Sequence, residues 1–360
     1  MNGTVHPMKR NETRQIHVGG VAVGGGAPVS VQSMCNTPTA DADATLRQIR
    51  ALADAGCDIV RVAVPDDAAA EAMARICAES PLPVVADIHF DYKLALRCAA
   101  AGVSKIRINP GNIGGAEHVR AVAEACAARG IPIRIGINAG SLEKRLLAKY
   151  GAPTAEAMAE SAADHAEMLE RFGFSDICLS LKASSVPLTL EAYRLAAQRF
   201  PYPLHLGVTE AGTLRQGTVQ SAMGIGALLL DGIGDTIRVS LTADPVEEIR
   251  TGIAILKAAG LRKAGPKVIS CPTCGRTQID LISAANEVER RLEGCRRAIT
   301  VAVMGCVVNG PGEAREADYG LAGGKGEAVL FCKGEIVRKV PEAGMVDALM
   351  ELIKHDEQGT

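Results

Sequence analysis

Aromatic residues are scarce in this chain, and tryptophan is absent. Phe, Trp and Tyr together make up 3% of the 360 residues, and the formal net charge is only -2. Proteins that bind single-stranded nucleic acid stack bases on aromatic side chains, and proteins that bind duplexes carry a basic surplus. The composition therefore argues against a nucleic-acid-binding protein.

Long apolar runs are also missing. The longest, near residues 222–230, is interrupted by glycine and falls far short of the roughly 20 residues that span a bilayer. Residues 1–20 are polar and contain Pro7, so they lack the apolar core of a secretory signal. We therefore expect a cytoplasmic protein with no membrane partner.

The bulk composition is that of a globular protein, with 48% hydrophobic and 22% charged residues. A length of 360 residues exceeds what one hydrophobic core usually supports, which predicts two domains. Disulfide frameworks belong to small secreted domains, so the 11 cysteines do not predict one. Four of them lie in Ala-rich helical patterns, where we expect buried apolar thiols: Cys57, Cys77, Cys98 and Cys126.

Short apolar runs alternate with amphipathic helical runs from Val29 to Gly260. Strands that alternate with helices form parallel sheets, and eight such units in about 230 residues are typical of a closed (β/α)₈ TIM barrel. The alternative, a doubly wound open sheet, lacks support because no Gly-x-Gly-x-x-Gly turn follows the first strand. The predicted strands are Val29–Met34, Ile59–Val64, Val84–His89, Lys105–Asn109, Ile133–Asn138, Ile177–Lys182, Leu204–Thr209 and Thr236–Leu241.

A linker rich in Arg, Lys, Gly and Pro, Leu261–Lys267, separates this barrel from the rest of the chain. We therefore predict a barrel domain over residues 1–262 and a small α+β domain over residues 263–360. The second domain is predicted to hold a strand leading into Cys271, a helix over Thr277–Leu292, a strand over Ile299–Gly305, a hairpin around Gly334 and a terminal helix over Met345–Lys354.

The second domain contains a Cys-Pro-Thr-Cys motif at Cys271 and Cys274. This spacing lets both sulfurs face one centre, and alone it fits a zinc knuckle, a redox dithiol or an iron–sulfur site. A zinc site usually takes a second close pair, whereas Cys295, Cys306 and Cys332 stand singly. A dithiol would leave Cys306 and its loop unexplained.

Cys306 opens the segment Cys-Val-Val-Asn-Gly-Pro-Gly-Glu, which ends at Glu313. A lone Glu313 could be a solvated loop carboxylate, but a 4Fe-4S cluster with three thiolates and one oxygen ligand would use all these groups. Oxygen binds iron more weakly than thiolate does, so that iron could exchange ligands and bind substrate. We therefore favour a 4Fe-4S cluster on Cys271, Cys274 and Cys306, with Glu313 as the replaceable ligand.

Five of the predicted barrel strands carry a basic residue. A charge in such a strand is costly unless it points toward the open mouth, so these cations predict a substrate with several negative charges, most simply a diphosphate. Glu210, at the end of the seventh strand, is the acid/base candidate. The basic residues are Arg61, Arg107, Arg134, Lys182 and Arg238, and the neutral hydrogen-bonding residues beyond them are Asn109, Asn138 and Ser240.

Six separated motifs together resemble one family over nearly the whole chain, the bacterial 4-hydroxy-3-methylbut-2-enyl diphosphate synthases of the methylerythritol phosphate route. The motifs are Gln-Ser-Met at 32–34, Ala-Asp-Ile-His-Phe at 86–90, Arg-Ile-Asn-Pro-Gly-Asn at 107–112, Gly-Ile-Asn-Ala-Gly-Ser at 136–141, Gly-Val-Thr-Glu-Ala-Gly at 207–212 and Val-Asn-Gly-Pro-Gly-Glu at 308–313. Cys35 departs from the pattern, because a small polar residue is expected there.

The resemblance implies an iron–sulfur oxidoreductase of the EC 1.17.7 class. Its reaction would be reductive ring opening of 2-C-methyl-D-erythritol 2,4-cyclodiphosphate, with loss of water, using electrons from flavodoxin or ferredoxin. The resemblance also implies a homodimer of the two-domain form. Its site residues would be Cys271, Cys274, Cys306 and Glu313 around the cluster, Glu210 for proton handling, and Arg61, Arg107, Arg134, Asn138, Lys182, Arg238 and Ser240 around the diphosphate.

Two other function classes remain open at this point. A barrel hydro-lyase or transferase could use the cluster only as a Lewis acid, or a zinc-binding Cys-x-x-Cys domain could dock the barrel to a partner without catalysis.

Overall fold

The computed structural model of the protein describes residues 10–109, 111–262, 265–295, 297–306 and 316–355. The chain divides into two compact units after Arg262. Among the described helices, none has the length and apolar character needed to cross a membrane.

The first unit is a closed ring of eight parallel strands. The ring order is β8-β7-β6-β5-β4-β3-β10-β9, and a parallel bridge between Leu179 and Leu204 joins β8 to the segment that enters β9. The TIM-barrel prediction is confirmed, and the open-sheet alternative is wrong. The strands are β3 (Ser30–Met34), β4 (Ile59–Ala63), β5 (Val84–Asp87), β6 (Lys105–Ile108), β7 (Ile133–Asn138), β8 (Ile177–Lys182), β9 (His205–Leu206) and β10 (Thr236–Ile237).

The barrel strands are joined by helices, most of which begin at a side-chain cap. Asp41, Asp66 and Thr154, for example, each accept a hydrogen bond from a backbone N–H of the first turn, which satisfies one of the free donors there. The helices are α1 (Ala42–Asp54), α2 (Asp67–Glu79), α3 (Tyr92–Ala100), α4 (Ala116–Ala127), α5 (Lys144–Tyr150), α6 (Ala155–Glu170), α7 (Val186–Arg199), α8 (Leu214–Leu230) and α9 (Pro245–Ala258).

The strands alternate sharply between an apolar outer face and a polar inner face. In β7, Ile133 and Ile135 join the core beneath the helices, whereas Arg134 and Asn138 line a pocket inside the ring. Most TIM barrels fill their interior with branched apolar side chains. Here the interior is cationic, so it is suited to bind a polar ligand as well as to pack.

A short antiparallel hairpin, β1 (Ile16–Val18) and β2 (Val21–Val23), precedes the barrel. Its buried apolar residues pack against Ile59, Val85 and Cys178, which lie at or near the starts of β4, β5 and β8. The hairpin therefore closes the N-terminal end of the ring and leaves the C-terminal end as the mouth.

Six barrel strands are shorter than the sequence predicts, and β9 and β10 differ most. β9 ends at Leu206 rather than Thr209, and β10 ends at Ile237 rather than Leu241. Glu210 has a φ of 53°, a left-handed backbone conformation that residues other than glycine rarely adopt. The chain thus leaves the regular sheet early in both strands, and it turns sharply at Glu210, four residues after the end of β9.

The second unit is a five-stranded mixed sheet with its helices packed on one face. Its strand order is β11-β12-β13-β14-β15, parallel between the first three strands and antiparallel between the last three. The α+β prediction is confirmed. The elements are β11 (Lys267–Ser270), α10 (Leu281–Arg291), β12 (Thr300–Met304), β13 (Tyr319–Gly323), β14 (Glu327–Cys332), β15 (Glu335–Pro341) and α11 (Met345–His355).

The predicted hairpin is confirmed, and its two turn residues, Lys333 and Gly334, both have positive φ. The helix predicted from Thr277 instead begins at Leu281. Asp280 caps it by accepting from the N–H of Ser283, which leaves the preceding residues free to form a turn near the cysteines.

Candidate functional site

The C-terminal mouth of the barrel contains a polar cavity of about 190 Å³. Seven of the eight residues proposed from the sequence as substrate contacts line it. They are Arg61, Arg107, Arg134, Asn138, Lys182, Arg238 and Ser240, and the remaining lining residues are Asp87, His89, Ser180 and Thr209.

Asn109 is the eighth residue, and it does not line this cavity. Its side-chain oxygen accepts a hydrogen bond from the backbone N–H of Gly111 at 3.0 Å. The amide therefore shapes the turn that follows β6, and a role for Asn109 in substrate contact remains only a prediction.

Two glycines on inner strand positions make room for two of the cations. A Cβ at Gly136 would lie 2.6 Å from Nε of Arg107, and a Cβ at Gly207 would lie 2.7 Å from Nζ of Lys182. Because these distances are far below van der Waals contact, Arg107 and Lys182 lie directly across the faces of β7 and the segment after β9. The sequence signal for this is the Gly at an inward position of a strand.

Asp87 is the one carboxylate among the described residues that line the cavity. It accepts from Nη1 of Arg107 at 3.1 Å, and Nε of Arg61 is 3.8 Å away. Burial opposes its ionisation, but Arg61, the hydrogen bond from His89 and Arg107 outweigh burial and lower the pKa of Asp87. Even with Glu248, which pairs with Arg238 from outside the cavity, two carboxylates cannot neutralise five cations, so the mouth has a surplus of positive charge.

That surplus acts on Lys182. Burial and the neighbouring Arg134 and Arg238 lower the pKa of Lys182 well below its ordinary value. A bound anion would relieve this repulsion, so the mouth is prepared for a ligand with more than one negative charge.

Sequence reasoning missed Glu248, which lies on α9 and is only 4% exposed. Its carboxylate contacts the Arg238 guanidinium at 3.1 Å and also accepts from Ser33 Oγ at 2.9 Å. A glutamate on a barrel helix is usually a solvated surface residue, so the sequence carries no signal that would have singled it out.

Glu210 lies just beyond the cavity and is exposed. It follows Thr209, which does line the cavity, and it has the left-handed backbone conformation described above. Backbone strain of this kind, about 1–3 kcal/mol, is concentrated at functional positions.

Cys35 is buried just after β3, where it stands in place of the expected small polar residue. Burial raises the pKa of its thiol to about 12. Because the thiolate is the reactive form, Cys35 is chemically quiet at neutral pH.

In the second unit, Cys271 and Cys306 follow neighbouring parallel strands, β11 and β12. The backbone N–H of Gly305 donates to the Cys271 sulfur at 3.2 Å. Cys274 belongs to a turn that ends at Thr277, and the next residue, Gln278, donates its backbone N–H to Gly305 O at 2.9 Å. All three cysteines therefore lie along one edge of the sheet.

The three cysteines differ in access. Cys274 is exposed, Cys271 is half-buried and Cys306 is buried. The backbone N–H of Arg276 lowers the pKa of Cys274, which favours its thiolate form. Thiolates supported by backbone N–H groups are the ligands that iron–sulfur clusters take.

The described side chains are not drawn together around one point. Within the described ranges, no three His, Cys, Asp or Glu side chains are grouped so that they could hold a metal ion. The proposed fourth ligand, Glu313, lies outside the described residues. The three thiols on one sheet edge nonetheless fit an iron–sulfur cluster by their chemistry and by the strands that carry them.

Fold and site together define a TIM-barrel protein with a cationic pocket sized for a small molecule, joined to a sheet unit with three cysteines along one edge. Residues 13–253 match the GcpE TIM-barrel domain, and residues 267–355 match the GcpE protein C-terminal domain. The chain belongs to the GcpE family.

Close relatives have consistent names. A Geobacter sulfurreducens protein named 4-hydroxy-3-methylbut-2-en-1-yl diphosphate synthase (flavodoxin) is 65% identical over 339 residues, which are 94% of this chain and 96% of that protein. A Clostridium perfringens protein of the same name is 60% identical, covering 96% of this chain and 99% of that protein. The family resemblance inferred from the six motifs is confirmed.

Proposed function

We propose that this protein is a flavodoxin-dependent oxidoreductase that converts 2-C-methyl-D-erythritol 2,4-cyclodiphosphate to 4-hydroxy-3-methylbut-2-enyl diphosphate. Counted on the acid forms, the cyclic substrate takes up two electrons and two protons. One ring C–O bond breaks, and one oxygen leaves as water. The observation that carries the proposal is the convergence of five strand cations on one small cavity, in a chain of this family.

The barrel mouth would hold the diphosphate. Arg61, Arg107, Arg134, Lys182 and Arg238 supply charge-assisted donors from five strands, which is what a group with several negative oxygens requires. Asn138 and Ser240 add neutral hydrogen bonds and fix the orientation. The five basic side chains repel one another, so binding the substrate would relieve this repulsion as well as form contacts.

Glu210 would handle a proton at the reacting carbon skeleton. It follows the cavity-lining Thr209, at the C-terminal end of the barrel, where catalytic residues of this fold are found. Its left-handed backbone sets the direction of its side chain independently of the strand. A carboxylate in this position can move a proton without being buried among the diphosphate-binding cations.

Cys271, Cys274 and Cys306 would hold a 4Fe-4S cluster, with Glu313 as a fourth, replaceable ligand. Bound there, the cluster would supply electrons one at a time to the substrate. The N–H of Gly305 would continue to donate to the Cys271 sulfur, and such hydrogen bonds tune the potential of a cluster. The names of the relatives support flavodoxin as the donor, with ferredoxin as the alternative, and we propose a homodimer.

Turnover with and without an electron source tests this function. Full-length protein, purified without oxygen, is mixed with the cyclodiphosphate and reduced flavodoxin, and the acyclic diphosphate is followed by phosphorus NMR. We expect product only when the donor is reduced. Product formation without any donor would contradict the redox mechanism and favour the Lewis-acid alternative.

A pair of lysine variants tests the location of the substrate. Lys182→Met should abolish turnover, because it removes a cation from the cavity. Lys93→Met, which changes an exposed lysine on α3, should leave turnover unchanged. Equal activity in both variants would show that the substrate binds elsewhere.

A further inference from the structure

Below the mouth cavity, the interior of the barrel holds a second group of polar side chains, here called the floor cluster: Gln32, Lys105, Arg134 and His205. Lys105, Gln32 and His205 have no exposed surface, and Arg134 is 1% exposed. Only Arg134 also lines the mouth, where its Nη1 donates to Ser180 Oγ at 3.0 Å.

The polar atoms of this cluster are unpaired to an unusual degree. Among the described residues, no partner exists for Lys105 Nζ, for either amide atom of Gln32, for either ring nitrogen of His205, or for Nε and Nη2 of Arg134. More than nine-tenths of buried polar groups in proteins have a hydrogen-bond partner. Several unpaired polar atoms in one place therefore indicate a ligand in the space between them.

Strand register places these residues on the inner face of the ring. Gln32 pairs with Ile59, Lys105 with Val85, and Arg134 with Cys178. These three partners contact the apolar hairpin that closes the barrel from below. The floor cluster therefore lies between that hairpin and the mouth.

The charged side chains of the floor cluster also shift the pKa of their neighbours. His205 is near enough to Arg134 and Lys105 for their positive charges, added to its burial, to lower its pKa well below the ordinary value. Burial lowers the pKa of Lys105 to about 8, and Arg134 contributes in the same direction. The cluster is thus electrostatically positive and lacks a counter-charge.

Neighbouring carboxylates do not supply that counter-charge. Asp87 also attracts Arg134, but it is bonded to Arg107 and paired with Arg61, and Glu248 is engaged by Arg238. No ion pair within the described ranges includes Lys105 or Arg134. An unpaired charge taken out of water costs several kcal/mol, which a bound counter-ion would offset.

Donors greatly outnumber acceptors in the cluster. An ammonium, a guanidinium edge, an amide NH₂ and one ring N–H can only donate. The acceptors are the amide oxygen of Gln32, the other ring nitrogen of His205 and the neighbouring hydroxyls of Ser30 and Thr236, which also donate. Water must donate as well as accept, so it would exhaust the acceptors first. An anion accepts from every side and matches this inventory.

We propose that the floor of the barrel binds a small monovalent anion of the halide class, held by Lys105 and Arg134 with Gln32 and His205 around it. The ion must be small and dehydrated, because three of its four neighbours have no exposed surface. It would keep Lys105 protonated and hold Arg134 in the direction that the mouth requires. This site shares Arg134 with the diphosphate contacts, but its other three residues do not line the mouth cavity, and it does not depend on the proposed reaction.

Bromide tests the proposal, because it replaces chloride and scatters anomalously. Crystals of the full chain grown without chloride are soaked in bromide, and the anomalous map is inspected inside the barrel. We expect a peak within hydrogen-bonding distance of both Lys105 Nζ and the Arg134 guanidinium. Water-like density with no anomalous signal there, or bromide only in the mouth, would overturn the proposal.

Thermal stability provides a second readout in solution. At constant ionic strength, replacing gluconate with bromide should raise the Tm by at least about 2 °C, since a ligand that binds only the folded state stabilises it. Lys105→Met should lose this rise, and Lys93→Met should keep it. An equal rise in both variants would contradict the assignment. If Lys105→Met does not fold, the wild-type bromide map alone decides.

Discussion

Glu248 binds the guanidinium of Arg238 with both of its carboxylate oxygens, at 3.1 Å to Nη2 and 3.3 Å to Nε. The same carboxylate accepts from Ser33 Oγ at 2.9 Å and from the backbone N–H of Leu241 at 3.0 Å. A buried helix residue thus fixes the direction of a cation that lines the mouth. Arg238 is held by the scaffold before any ligand arrives, which reduces the ordering cost of binding.

The first prediction concerns this contact. Glu248→Gln keeps the shape of the side chain but removes the charge that orients Arg238. We expect kcat/KM to fall about 10-fold, mainly through a higher KM, and the free energy of unfolding to fall by about 1–3 kcal/mol. Steady-state kinetics and urea unfolding measure the two effects.

Glu247→Gln is the matched control, since it changes the adjacent residue of α9, whose carboxylate pairs with Arg250 at the surface. It should change neither KM nor stability by a measurable amount. An unchanged KM in Glu248→Gln would show that Arg238 does not need this carboxylate.

The second prediction concerns the space above Gly136. In Gly136→Ala, the new methyl group would overlap the Arg107 guanidinium, which lies at the flexible end of its side chain and can move aside. The fold should survive, but kcat/KM should fall about 10- to 100-fold, because a displaced contact misplaces the substrate. A lower kcat/KM together with an unchanged Tm would show that activity is lost without a loss of stability.

Gly207→Ala should behave differently. Its methyl group would meet the backbone oxygen of Arg238 at 2.7 Å as well as Lys182, and a backbone atom cannot move aside. We expect a loss of about 1–3 kcal/mol in unfolding free energy in addition to lost activity. Gly226→Ala on α8 is the control, because a Cβ there meets nothing within 4 Å. Full activity of Gly136→Ala would contradict this account of the mouth.

The third prediction concerns acid stability. Glu143 accepts from His165 Nε2 and from Ser161 Oγ, each at 3.0 Å. Burial raises the pKa of Glu143, but the hydrogen bond from His165 and the other donors outweigh burial and lower it to about 2. A carboxylate with a lowered pKa stabilises the fold above its unfolded value of about 4.5, and this contribution is lost as pH falls toward 2.

The Glu143→Gln variant should therefore be less stable than wild type at pH 6 by about 1–2 kcal/mol, since part of the carboxylate is screened by solvent. The difference should shrink as pH falls from 5 to 2. Urea unfolding of both proteins at pH 6, 4 and 3 measures it. A difference that stays constant with pH would show that ionisation of Glu143 is not the cause.

The fourth prediction concerns the cysteine edge. Cys274→Ala should lose the iron and the visible absorption of the purified protein, because three thiolates are needed to hold the cluster. Glu313→Ala should keep a cluster but lose most turnover. Cys295→Ala changes another cysteine of the same unit, a half-buried one outside the proposed ligand set, and should affect neither property. Full activity in Glu313→Ala would make its assignment as a ligand wrong.

Most of the fold could be predicted from the sequence, because the barrel strands are short apolar runs at regular spacing. Strands such as β7 also alternate an isoleucine with a polar residue, which located Arg134 and Asn138 on the inside. The early ends of β9 and β10 could not be predicted, because the residues that follow, Gly-Val-Thr and Arg-Val-Ser-Leu, continue the pattern of a strand. The left-handed backbone of Glu210 was missed because Glu does not signal it. The extra helix α5 was missed because it is short.

The site was only partly predictable, for a different reason. Basic residues in apolar strands stand out, so the mouth cations were found. Glu248 and three floor residues were missed, because their roles depend on neighbours far away in sequence. The three floor residues are Gln32, Lys105 and His205. Gly136 was noted only as part of a motif, because its close approach to Arg107 depends on the tertiary structure.

The content and redox behaviour of the metal centre test the central claim most directly. Protein purified without oxygen is analysed for iron, sulfide and zinc, and its electron paramagnetic resonance spectrum is recorded after reduction. We predict about four irons and four sulfides per chain and a reduced-cluster signal that changes when the cyclodiphosphate is added. Colourless protein with one zinc per chain and no such signal would contradict the account.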